Sequence, residues 1–251
     1  MTRNPWLIGQ PSGEPARHPV FCFPNAGGGA SLFARWARES PETLEILGVQ
    51  LPGRENRLNE PPVTNFSRLL EAIWQAIGPL LDRPYVLLGH SMGALVAFEF
   101  ARTVRRAAAP PPEVLWVLSL GPPDTVRSSS NLHRLPDEQL LAAVQNRFGG
   151  IPDVIRDDPE MLRLILPSLR ADMTLLEQYK YEEGPPLDCP IVACGGRDDP
   201  IVSEETLAGW QRHTTSPFEL RMFSGGHFFL KEQAAAILAG IELSLSLEPD
   251  A

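Results

Sequence analysis

The chain has 251 residues, 43% of them hydrophobic and 21% charged, a composition that supports a full globular core and leaves no case for extended disorder. Its 31 acidic residues against 22 Lys and Arg give a net charge of -9, so approach to a nucleic-acid backbone or an anionic membrane begins with repulsion, and neither is an expected partner. No run approaches the roughly 18 consecutive apolar residues of a membrane span, and the first residues carry no apolar signal core, which together predict a cytoplasmic protein.

Taken in chain order, apolar strand-like runs over 19–23 and 45–50 flank a helix expected over 32–39. Between the first strand and that helix lies a glycine-rich turn, Pro24-Asn25-Ala26-Gly27-Gly28-Gly29. A helix is expected over 66–81, then a strand over 85–89 that passes directly into a helix over 91–104. Further strands are expected over 113–120, 190–194 and 218–223, with helices over 203–212 and 227–245. Several strands are continuously apolar instead of alternating, as a parallel sheet covered by helices on both faces requires. One connection breaks the rhythm. Residues 121–188 separate two strands that a short link would serve, and they carry helical spacing at Leu140, Val144 and Phe148. A second helical run there has Asp158 as N-cap, Pro159 in its first turn and a kink expected at Pro167. Its apolar residues point more ways than one stripe allows, so one face is expected to meet the scaffold and another either protein or an acyl chain. The chain is thus expected to be one α/β domain over 1–251 with a helical lid insertion over 121–188.

The most informative string is Gly89-His90-Ser91-Met92-Gly93, at the junction of the third long strand and its helix. The string alone arises readily by chance; its placement on a strand-to-helix turn makes it a nucleophile elbow and the architecture an α/β-hydrolase fold, with a mostly parallel central sheet flanked by helices. An activated serine needs a base within reach and an acid to orient that base, in the chain order Ser, Asp, His on such a fold. Asp199, after the strand ending at Cys194, and His227, after the strand ending at Phe223, fit that order with Ser91. The Gly-x-x-Asp-x-x-Val spacing points to Asp199 over its neighbour Asp198; Asp124, one strand earlier, is the other alternative. His18 precedes the sheet, His133 lies in the insertion, His90 points away from Ser91, and His213 suits a helix C-terminus. The oxyanion hole is expected from the backbone N–H groups of Met92 and Ala26. Cys22, Cys189 and Cys194 are expected to be buried free thiols. No zinc-ligand spacing or phosphate loop is present, and neither a metal nor a cofactor is expected.

Taken together, these residues resemble the type II thioesterases, the stand-alone editing hydrolases of polyketide and nonribosomal peptide assembly lines. The resemblance runs over nearly the whole chain. It rests on the turn 23–28, on Gln50-Leu51-Pro52-Gly53-Arg54-Glu55, on the elbow, on Arg170-Ala171-Asp172-Met173 with Tyr179, and on the segments around Asp199 and His227. It implies a thioester substrate carried on the phosphopantetheine arm of an acyl or peptidyl carrier protein, with Ser91 acylated and water releasing the product. Because carrier proteins are usually acidic, a local basic patch is expected for docking, with Arg127, Arg134, Arg54 and Arg57 as candidates. A monomer is expected. A general carboxylesterase, an acyltransferase and a non-catalytic ligand-binding member of the fold are the alternatives, and acceptor choice among the enzymes lies in pocket shape.

Overall fold

A computed structural model describes residues 4–9, 17–126 and 131–246. Among them, seven strands form one sheet: β1 (Leu7–Ile8), β2 (His18–Phe23), β3 (Leu44–Val49), β4 (Val86–His90), β5 (Val114–Leu118), β6 (Ile191–Gly196) and β7 (Phe218–Phe223). Their spatial order is β1-β3-β2-β4-β5-β6-β7, parallel throughout except for β1, which pairs antiparallel to β3. The helices are α1 (Ala34–Glu39), α2 (Phe66–Ile77), α3 (Met92–Arg106), α4 (Asp137–Phe148), α5 (Asp153–Arg156), α6 (Pro159–Gln178), α7 (Glu204–Ala208) and α8 (Ala234–Ser246).

Strand periodicity divides the core in two. On β2, Phe21 and Phe23 face the side packed by α2 and α3, while Val20 and Cys22 face the side packed by Trp36 of α1 and Ile237 and Ile241 of α8. Both sides are apolar, which is why several of the strands, β5 above all, read as unbroken hydrophobic runs. A third, smaller core lies between β5 and β6 in sequence, where Leu140 and Val144 of α4 meet Leu166, Leu169 and Met173 of α6.

Several element boundaries differ from the expectations. β1 has two residues and therefore no readable periodicity. The helix expected to run to 81 leaves α geometry after Ile77 and ends in a 3-10 turn, Gly78–Leu80, because Pro79 has no N–H for the ladder. The segment expected as one helix over 32–39 opens with a 3-10 turn, Ala30–Phe33, before α1. That over 203–212 passes from α7 into a 3-10 turn, Gly209–His213. The helix expected from His227 begins only at Ala234, since Gly225, with φ +111°, turns the chain and His227 lies in the loop that follows. Across Pro167 α6 is continuous, although the carbonyl of Arg163 has no proline N–H to accept from. Asp158 caps α6 as expected, accepting from the N–H groups of Glu160 (2.8 Å) and Met161 (3.2 Å).

Candidate active site

Ser91 lies between the last residue of β4 and the first of α3, with φ +53° and ψ −120°. A side chain in that region is strained by about 1–3 kcal/mol, so its surroundings must enforce it. They do so through the Ser91 N–H, which donates to the Leu118 carbonyl at 2.8 Å, and the Ser91 carbonyl, which accepts from the Ala94 N–H at 2.9 Å. Close approach of the backbone demands glycine on both sides. A Cβ on Gly89 would lie 2.1 Å from the Gly93 carbonyl oxygen, and one on Gly93 would lie 2.0 Å from that of Phe23.

The loops after β6 and β7 bring the other two residues to this turn. His227 Nδ1 donates to Asp199 Oδ2 at 2.8 Å, and its Nε2 faces Ser91 Oγ at 3.1 Å. Because the carboxylate only accepts, Nδ1 carries the proton and Nε2 is free to accept from the serine hydroxyl. The Asp199 side chain is shut off from solvent, and that of His227 is only 4% exposed. Burial works against the Asp199 anion. The His227 hydrogen bond and those from the Ile201 and Val202 N–H groups outweigh it, holding the carboxyl below its ordinary value.

Met92 follows Ser91 as the first residue of α3, and Ala26 lies in the turn after β2, on the wall of the same cavity as Ser91. Among the described residues neither donates to a protein acceptor, and helix geometry leaves the Met92 N–H unpaired in any case. Ala26, Ser91 and His227 border a cavity of about 540 Å³ whose apolar lining comes mainly from 144–176, including Val144, Phe148, Met161, Leu164, Leu169 and Leu176, while the turn after β2, Arg54, Glu55 and Lys231 form its more polar side. Phe148 and Phe228 pack against the His227 ring, with centroids 5.5 and 5.4 Å away.

The remaining candidates lie elsewhere. Asp198 is exposed and makes no bond to His227, and Asp124 pairs with Arg212 and His213 instead. His133 pairs with Glu177 on the insertion, and His18 is at the start of β2. His90 is the histidine whose part sequence reasoning missed. Its buried Nε2 donates to the His227 carbonyl at 2.8 Å, beside a second donor, Ser119 Oγ, also at 2.8 Å. Burial, aided by the neighbouring His227, pushes the His90 imidazole down to about 3, so it stays neutral and ties the loop carrying His227 to the elbow. Cys22, Cys189 and Cys194 are free and buried, and burial raises the thiol of Cys189 to about 12. Among the described residues no group of three or more His, Cys, Asp or Glu side chains is placed to hold a metal.

The basic-patch expectation needs correction. Arg54 and Arg57 are 5% and 6% exposed: Arg54 forms a two-pronged pair with Asp172, and Arg57 pairs with Glu60 while donating to the Gln50 carbonyl. Neither is available on a surface. Arg134 is exposed, its Nε directed at His133, and Arg127 lies outside the described residues. The Arg54–Asp172 pair was itself missed, because 118 positions separate its members. The readable signal was the helical spacing of Asp172 with Leu169, Leu175 and Leu176, which puts a carboxylate on an apolar helix face where a buried cation must answer it.

Comparisons with known proteins bear on the family and the fold. A family model described as a thioesterase domain matches residues 18–245. The chain is 39% identical over 229 residues to the gramicidin S biosynthesis protein GrsT of Aneurinibacillus migulanus, covering 91% of this chain and 89% of that one. It is 38% identical to the thioesterase PikA5 of Streptomyces venezuelae, over 85% of this chain and 76% of its relative. Among solved structures, the type II thioesterase BorB from the borrelidin biosynthetic cluster superposes with a TM-score of 0.84 at 34% identity, covering 96% of each chain. An α/β-hydrolase sheet, an elbow serine within reach of a histidine and relatives of this kind lead to one conclusion: the chain belongs to the thioesterase family, enzymes that hydrolyse thioester bonds.

Proposed function

We propose that this enzyme removes acyl groups from the phosphopantetheine arm of an acyl or peptidyl carrier protein, clearing stalled or aberrant units during polyketide or nonribosomal peptide synthesis. The observation that carries the reading is the hydrogen-bonded series from Asp199 through His227 to Ser91, opening on an apolar cavity large enough for an acyl chain. His227 Nε2 takes the proton from Ser91 Oγ as the oxygen attacks the thioester carbonyl. Asp199 holds the imidazole in the correct tautomer and stabilises the imidazolium. The tetrahedral oxygen is received by the Ala26 and Met92 N–H groups, each worth about 3 kcal/mol in a dry site. Collapse expels the pantetheine thiol, which takes the proton back from His227. A thiol with a pKa of about 8.5 departs more readily than an alkoxide, so acylation is easy and water attack on acyl-Ser91 is the demanding step. In that step His227 draws a proton from water, and collapse of the second tetrahedral species restores Ser91.

The segment 121–188 acts in this reading as a lid within one 1–251 domain, lining the acyl channel and limiting access of bulk water. Three buried free thiols suit the reducing cytoplasm, and the enzyme is expected to act as a monomer. The deciding experiment offers a panel of acyl groups on a carrier protein and follows their loss by intact mass. Loss of short or decarboxylated units with the wild type, and none with Ser91→Ala, supports the editing role. Turnover of matched oxyesters but not carrier-bound thioesters would make the protein a carboxylesterase, and transfer to an added alcohol or amine in preference to water would make it an acyltransferase.

A further inference from the structure

The turn that supplies the Ala26 N–H is gripped immediately downstream by two buried charges. Asp172 Oδ2 accepts from the Gly27 N–H at 2.7 Å. The same oxygen accepts from Arg54 Nη1 at 2.7 Å, Asp172 Oδ1 accepts from Arg54 Nη2 at 2.8 Å, and Arg54 Nη1 also donates to the Gly28 carbonyl at 3.0 Å. The peptide groups on both sides of the Gly27–Gly28 link are thus held by one ion pair, whose carboxylate is fully buried and whose guanidinium is 5% exposed. A third hold lies slightly further on. Gln50 Oε1 accepts from the Ala30 N–H at 2.8 Å, and Gln50 Nε2 donates to the Arg54 carbonyl at 3.0 Å.

A buried ion pair seldom adds net stability, because the desolvation of both charges cancels much of their attraction; it is better suited to fixing geometry. What this pair fixes is a turn whose own bonds, from Asn25 Nδ2 to the Ala26 carbonyl and from the Gly28 N–H to the Asn25 carbonyl, both 2.9 Å, lie within the turn and do not anchor it to the rest of the molecule, at a place where a displacement of an ångström would turn a catalytic donor away from its target. Asp172 belongs to α6, whose nearby Leu169 and Leu164 line the acyl cavity. The wall of the cavity and the oxygen-binding turn are therefore joined through this carboxylate, beside the packing of Ala26 on the α4–α6 core.

We infer that Arg54 and Asp172 are positioning residues for the oxyanion hole: they set the orientation of the Ala26 peptide and tie it to the α6 wall of the acyl cavity, which Arg54 also borders. The inference rests on the serine-hydrolase reading given above.

The test separates placement from folding. Asp172→Asn leaves a buried guanidinium without its charge partner and is expected to lose stability as well as activity. The double variant Arg54→Met/Asp172→Leu removes both charges, so that it folds with a thermal midpoint near that of the wild type. Its kcat on a carrier-bound acyl thioester should fall about 30- to 300-fold with KM little changed. An alkyl boronic acid, which forms a tetrahedral adduct on Ser91 Oγ, should weaken by a similar factor, whereas a non-hydrolysable thioether analogue of the substrate should bind as before. Wild-type kcat and boronate affinity in a folded double variant would overturn the inference. So would a double variant that cannot fold, since the pair would then be a folding element. A wild-type enzyme that forms no boronate adduct at Ser91 would instead remove the serine-hydrolase reading beneath it.

Discussion

Ser91 holds a conformation that a free serine would leave at once, and the molecule commits a carbonyl, an amide and two glycines to keep it there. Removing its oxygen by Ser91→Ala should reduce thioester turnover to background, by up to about 10⁶-fold, while leaving the thermal midpoint nearly unchanged. Asp199→Asn replaces an acceptor with an amide that can present a donor to His227 Nδ1 and favour the wrong tautomer, so kcat should drop by about 10⁴-fold in a protein that still folds. Steady-state rates alongside thermal melts check both. His90 leaves a signature in acid. In the unfolded chain it titrates at its ordinary value of 6.5, whereas in the folded protein it takes up no proton until about pH 3. The unfolded state therefore binds the extra proton across that window: the contribution of His90 is complete above pH 6.5 and is lost as pH falls toward 3. Asp199, whose folded carboxyl lies below its ordinary value of 3.8, adds a further loss only below that point. His90→Gln keeps a donor for the His227 carbonyl but cannot ionise, and should flatten the decline in thermal midpoint between pH 6.5 and 3. An unchanged slope would exclude His90 as its origin.

At the level of elements, α6 serves two purposes along one length. Its C-terminal half is locked down, with Leu169, Asp172, Met173 and Leu175 all buried, while Met161 and Leu164 in its N-terminal half are 39% and 45% exposed at the cavity wall. Pro167 marks the division. Its missing N–H leaves the helix weakest where the locked half meets the free one. Pro167→Ala restores that donor and should raise stability by about 1 kcal/mol or more, read from the denaturation midpoint. The apolar wall carries its own prediction. Each methylene added to a straight acyl chain removes about 0.8 kcal/mol of surface from water, so kcat/KM should rise by up to about fourfold per carbon until the cavity is full, then level off. A flat profile from two carbons upward would show that the chain does not enter this space.

Across the whole molecule, what could be read in advance was what leaves a local trace. Ser91, Asp199 and His227 each sit in a short motif at the carboxyl end of a strand, so their meeting followed once the parallel sheet was recognised from its unbroken apolar runs. Boundaries were harder. Pro79 and Gly225 changed helical geometry through single residues, and Leu7–Ile8 is too short to show a period. Arg54 resembled a surface charge because nothing near it in sequence announces Asp172. Long-range pairing of charges leaves no periodicity, and the same is true of His90, whose partner is a backbone carbonyl 137 positions away.

The dependence of the oxygen-binding turn on a carboxylate from α6 also bears on how selectivity can be transplanted. Most of the apolar side chains lining the acyl cavity come from one contiguous stretch, 144–176, so grafting that stretch from another family member should carry chain-length preference into this scaffold. Such a graft cannot be cut by wall composition alone. A donor segment lacking an acidic side chain in register with the host's Arg54 would import the new preference and forfeit the rate, and the two properties would have to be restored together by matching that single salt link across the seam.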